Sequence, residues 1–149
     1  MNHSELAKKN FESGCNCAQA VLLAFSDLTG LEEGTAMKMA ASFGGGMGKL
    51  REVCGALTGA FMAAGMIYAD DHVPTQEDKA AHYDKIRGLA TRFREENGSY
   101  LCRELLEGVP VSKGSAPEER TEQYYKKRPC GELCAIAARL LDELLEQEK

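Results

Sequence analysis

The sequence predicts an all-α fold, a single compact helical bundle over residues 1–149 with one small-residue-rich helix at its centre. Three observations lead there. Apolar residues recur at helical spacing almost throughout, and no stretch alternates apolar and polar residues with β-branched side chains as a strand would. Capping residues and glycines punctuate the chain at helix-length intervals. With no Trp and only 7% aromatic residues, the core has to be assembled from Ala, Leu, Met, Val and Gly, a set that suits closely approached helices.

Taken in order, Ser4 is placed to cap a first helix reaching Phe11, after which Ser13 and Gly14 interrupt the pattern. Asn16 caps a second helix, Cys17 to Leu28, closed by Gly30, and a third amphipathic helix runs from Glu32 to Ser42. The loop GGGMG, Gly44 to Gly48, leads into a stretch from Val53 to Ala69 in which no residue carries a charge. That stretch touches the lower edge of a transmembrane span. Its Gly55, Thr58, Gly59, Gly65 and alanines read better as the central buried helix. Asp70 to Pro74 is a polar connector. Thr75 caps the longest helix, with Glu77 and Asp78 in its first turn, and Gly98 ends it. Ser99 is placed to cap the next, through Glu107; residues Gly108 to Arg120 form a loop, and Pro129 opens a final helix with a leucine stripe. No repeat and no second domain is visible.

Charge excludes several classes of partner. Lys and Arg number 18 against 23 Asp and Glu, without a long basic run, so neither a nucleic-acid footprint nor a polybasic membrane patch is expected. The beginning, MNHSELAKKN, has no apolar core of a secretory signal, and a cytoplasmic location is expected. There, six cysteines are reduced, ligate a metal or cycle chemically rather than staple the fold.

The positions of the thiols carry the functional reading. Cys17, Cys54, Cys102 and Cys130 each fall at or just inside a predicted helix N-terminus, where unpaired N–H groups and the dipole favour an anion, lower a thiol pKa and assist metal binding. Cys15 precedes a cap, and Cys134 lies one turn beyond Cys130 on the same face. Familiar local sites are absent: Cys130 and Cys134 are spaced Cys-x-x-x-Cys, and neither a haem-attachment nor a ferredoxin spacing occurs. His3, His72 and His82 are scattered and read as surface residues. In GGGMGKL, Leu50 replaces the hydroxyl residue of a phosphate loop and Phe43 its first glycine, which leaves a tight connector. Any site is therefore assembled across the fold.

The segments GCNCAQAVLLAF, FGGGMG, CGALTGA, CRELL and CGELCAIAARLL together resemble the C_GCAxxG_C_C family of redox-active proteins, over most of the chain. Cys54, Gly55, Ala56 and Gly59 fit its CGAxxG element, and Cys17 and Cys102 fit its first and third cysteines. Cys130 fits the last, because the family pattern places an aliphatic residue four positions on; Cys134 stands at that position, and Cys15 also replaces an apolar residue. The resemblance implies redox activity, and similar domains occur in larger redox proteins alongside cofactors.

The leading expectation is a redox protein whose Cys17, Cys54, Cys102 and Cys130 converge on one site as ligands of a 2Fe–2S cluster, with Gly55 and Gly59 as site backbone and Cys15 and Cys134 at the periphery. Electrons would pass to a redox partner that the sequence does not name. Three alternatives stay open: thiol–disulfide exchange with Cys54 as a low-pKa attacking thiol, a structural four-cysteine zinc site, and a helical binding module without chemistry. In the last, small residues at four-residue spacing, Gly55 with Gly59 and Ala60 with Ala64, form a homodimer or ligand surface.

Overall fold

Nine α-helices and one 3₁₀ turn form among the described residues, which run from 1 to 148 in this computed structural model. No strand forms there, and a single antiparallel bridge joins Val53 to Leu101. Helix α1 (His3–Glu12) is capped by Asn2, whose side chain accepts from the Glu5 amide at 2.7 Å. Ser4, the expected cap, lies inside the first turn, and its hydroxyl donates across the fold to the Ala135 carbonyl. Helix α2 (Cys17–Ala24) opens on Asn16 in a full capping box with Gln19. It stops at Ala24 instead of Leu28, where Phe25 leaves helical geometry and stacks on His3; the chain resumes as the single turn α3 (Ser26–Thr29), ended by Gly30.

Helix α4 (Glu33–Ala40) runs into the 3₁₀ turn Ala41–Phe43 and the glycine-rich loop. Helix α5 (Gly55–Tyr68) begins later than Val53, because Val53 is engaged in the bridge and Cys54 takes the N-cap position. Thr75 caps α6 (Gln76–Asn97) through the Asp78 amide, and Gly98 ends it in the left-handed conformation. Ser99 does not cap α7 (Cys102–Leu105): the N-cap is Leu101, and the Ser99 hydroxyl accepts from the Leu101 amide and donates to Glu104. A short helix α8 (Glu122–Lys127), absent from the sequence expectation, is capped by Thr121, and α9 (Cys130–Gln147) follows Pro129.

Helix α2 is enclosed by α1, α4, α5 and α9, while α5 packs on α2, α9 and α6. The central position expected for the small-residue helix is what makes this crossing close. A Cβ added at Gly59 would come within 2.7 Å of the Ala18 carbonyl oxygen, so α2 lies against bare backbone. Gly55, Gly59, Ala60 and Ala64 are all buried inside the chain. The stripe considered as a surface for a second copy is consumed by intramolecular packing. Among the described residues no helix is long and apolar enough to cross a membrane.

Candidate functional site

The four helix-start cysteines line one cavity of about 410 Å³. Cys17 is the first residue of α2, Cys102 of α7 and Cys130 of α9, and Cys54 is the N-cap of α5. Local backbone pairing sets two of them side by side. The Cys54 amide donates to the Tyr100 carbonyl at 2.8 Å and the Cys102 amide to the Glu52 carbonyl at 2.6 Å, on either side of the Val53 and Leu101 bridge. Gly55 brings the start of α5 onto the start of α2, since a Cβ there would lie 3.2 Å from the Cys17 Cβ. Gly46, at positive φ in the glycine loop, makes the same kind of approach to Cys102, where a Cβ would meet the Cys102 Cβ at 2.7 Å. Gly55 thus lines the cavity, whereas Gly59 does not and serves the helix crossing instead.

The Cys17 thiol neighbours those of Cys130 and Cys134, and each acts on the ionisation of the others. Cys134, expected at the periphery, is completely buried, and its thiol also approaches the Cys17 carbonyl oxygen at 3.8 Å, although it does not line the cavity. Cys15 stands apart, half-buried, with its sulfur 3.9 Å from that of Met37.

Burial reverses the expected thiol acidity. All six thiols are held above the ordinary value. Desolvation pushes Cys54 up to about 12, even though the amides of Ala56 and Leu57 pull the other way. At Cys130 the neighbouring Cys17 thiol and burial raise the value together, against the adjoining Arg128. For Cys17 the neighbouring Cys130 favours the thiolate, but Cys134 and burial outweigh it. Helix-start amides are present as expected; an unhydrated site costs a charged sulfur more than they return.

The cavity lining also holds four cations, Lys49, Arg51, Arg120 and Arg128, against one carboxylate, Glu118. Sequence reading missed this group. Its local signal was faint: Arg51 precedes Cys54 by three positions and Arg128 precedes Cys130 by two. Arg51 Nη1 donates toward the Cys102 sulfur at 3.6 Å. Arg128 has a side chain only 4% exposed, lies over the Tyr124 ring and sits 2.7 Å from Glu118, yet its buried Nη2 makes no well-directed hydrogen bond. Arg120 stacks on Phe11 and Tyr124 and donates to the carbonyls of Phe11 and Cys15. Burial works against Glu118 ionising, but the Ser112 amide and Arg128 hold its pKa down at about 2. The result is a cationic pocket in a chain whose net charge is -5.

Neither the curated proteins nor the solved structures contain a match to this chain. A family model does match, over residues 15–144, under the description "Putative redox-active protein (C_GCAxxG_C_C)". That span contains all six cysteines, the glycine loop and the cations of the cavity. The chain belongs to the C_GCAxxG_C_C family of redox-active proteins.

Proposed function

We propose that this chain is an electron carrier whose Cys17, Cys54, Cys102 and Cys130 ligate a 2Fe–2S cluster in the cavity they share. The observation that carries the reading is the convergence of four thiols and a surplus of cations on one poorly hydrated cavity. A cluster held by four thiolates is an anion, and it supplies a one-electron couple when bound. The chain's own residues suit that charge. Arg51 and Arg128 offset it from close range, and the buried Nη2 of Arg128 has a donor position to spare for an acceptor in the cavity. Amides at the starts of α2, α5 and α9 add partial positive charge. Thiols held protonated in the metal-free chain give up their protons on ligation, so loading is expected to release acid.

A second reading, thiol–disulfide exchange, draws support from the Cys17 and Cys130 thiols, which are neighbours in the cavity lining. It fits Cys54 poorly as the attacking group, since a thiol at about 12 carries little thiolate near neutral pH. Zinc also fits less well: among the described residues no three His, Cys, Asp or Glu side chains are gathered to hold a single metal ion.

Single Cys→Ser substitutions test the assignment in protein loaded with iron and sulfide without oxygen. Loss of the visible iron–sulfur absorption is expected for Cys17, Cys54, Cys102 and Cys130 and retention for Cys15 and Cys134. Retention in any one of the four variants would contradict the ligand set.

A further inference from the structure

Residues Gly108 to Arg120 contain no helix and form part of the cavity wall, contributing Ser115, Pro117, Glu118 and Arg120 to its lining. This strap is tied down chiefly by charge. Lys49 holds the Ser112 hydroxyl and the Ala116 carbonyl, and Glu118 meets both Arg128, at 2.7 Å, and Arg51, at 3.4 Å. The Ser112 amide donates to the same Glu118 oxygen, so one carboxylate both folds the strap on itself and fastens it to the bundle.

The two guanidiniums that fasten it also face the sulfurs. Arg51 reaches Cys102, and Arg128 adjoins Cys130. Arg51, Arg128 and Glu118 have side chains 17%, 4% and 21% exposed, so water screens their charges weakly. Arginine stays protonated, and each guanidinium has a fixed fork of donors to divide among acceptors.

We propose that Glu118 is a positioning residue that competes with the cavity sulfurs for Arg51 and Arg128, so that negative charge gained at the sulfurs loosens the strap. A new charge there repels the carboxylate and offers both guanidiniums a second acceptor. Coupling of this kind is reciprocal. Removing the charge of Glu118 makes the sulfur site accept negative charge more readily. The redox form of the inference rests on the function proposed above; the charge coupling itself does not.

A fixed charge provides the test. In the reduced, metal-free chain, hydrogen exchange across residues 108–121 is compared in Cys102→Asp and Cys102→Ser, with folding verified by circular dichroism. Exchange roughly tenfold faster in the aspartate variant is expected, and in a Glu118→Gln background the aspartate should add nothing. Equal exchange in C102D and C102S overturns the coupling.

A second arm covers failure of C102D to fold. In cluster-loaded protein, one electron from dithionite adds one negative charge to the site, and no bond of the chain is made or broken. E118Q should then favour the reduced form about tenfold, a rise of roughly 59 mV in midpoint potential for a one-electron couple, and E118D should restore most of the wild-type value. Equal potentials overturn the proposal. Failure of every form to hold a cluster would instead contradict the function, while the exchange comparison still judges the strap.

Discussion

At the cysteine end of the bundle the buried Arg128 meets a mostly buried Glu118, whereas along the seam of α6 and α9 Arg139 bridges Glu96 and Glu143 with all three side chains more than a third exposed. The residue types are the same and the hydration differs. Exposed pairs gain little over their solvated parts, while a buried pair broken on one side leaves an ion stranded. Helix packing differs in the same sense. Near the cysteines Gly59 is pressed against α2, but Gly65, further along α5, has nothing within 4 Å of where a Cβ would stand. The cysteine end has been built tight and electrostatically costly, and the far end tolerant.

The largest expected effect tests the buried charge. Arg128→Leu leaves Glu118 with Arg51 as its one remaining cation and should destabilise the chain by about 3 kcal/mol, read by chemical denaturation. Adding Glu118→Gln should recover part of that loss. A loss under about 1 kcal/mol would place Arg128 in the same class as the surface arginines.

Next comes the packing contrast. Gly59→Ala has to push against the Ala18 carbonyl, a backbone atom, and should cost about 2 kcal/mol. Gly65→Ala meets no neighbour and should stabilise by roughly 0.5–1 kcal/mol through helix propensity. Melting temperatures that move in the same direction would remove the distinction between the two halves of α5.

A smaller, pH-dependent effect belongs to the far end, where His3 is hydrogen-bonded to Asp27 and Asp142. Burial opposes protonation there, but the two aspartates raise the pKa above its ordinary value. Because the folded value is raised, the clasp contributes fully below the unfolded value of about 6.5 and loses its effect as pH rises through the folded one. The stability gap between wild type and His3→Gln should therefore shrink from acid toward alkaline pH. A gap that stays constant across that range would mean His3 acts through packing on Phe25 alone.

The smallest change is expected at the seam. Arg139→Ala should alter stability by no more than about 0.5 kcal/mol despite removing two ion pairs. A loss comparable to that of R128L would erase the comparison.

How much of this could be read in advance follows the range of the interactions. Asn16, Thr75 and Gly98 announce helix ends through contacts within three or four residues, and Asn16 in this way placed Cys17 at a helix start. The all-α class followed from periodicity in the same local way. Thiol acidity did not, because the amide field at a helix start is local while burial depends on which segments pack over it. The cationic wall was also hidden: Arg51 and Arg128 meet Glu118, and Arg120 joins the cavity lining, only through contacts between segments far apart in the chain. Cys134 looked peripheral by its place in the pattern, and helix packing brought it against Cys17.

The central claim is that four thiols form one site for a cluster, and the most direct measurement is iron, zinc and acid-labile sulfide content of protein purified without oxygen, alongside its visible spectrum. About two iron and two sulfide per chain are predicted, with an absorption that dithionite bleaches. Stoichiometric zinc without sulfide, or metal-free protein that takes up neither iron nor sulfide on reconstitution, would contradict it.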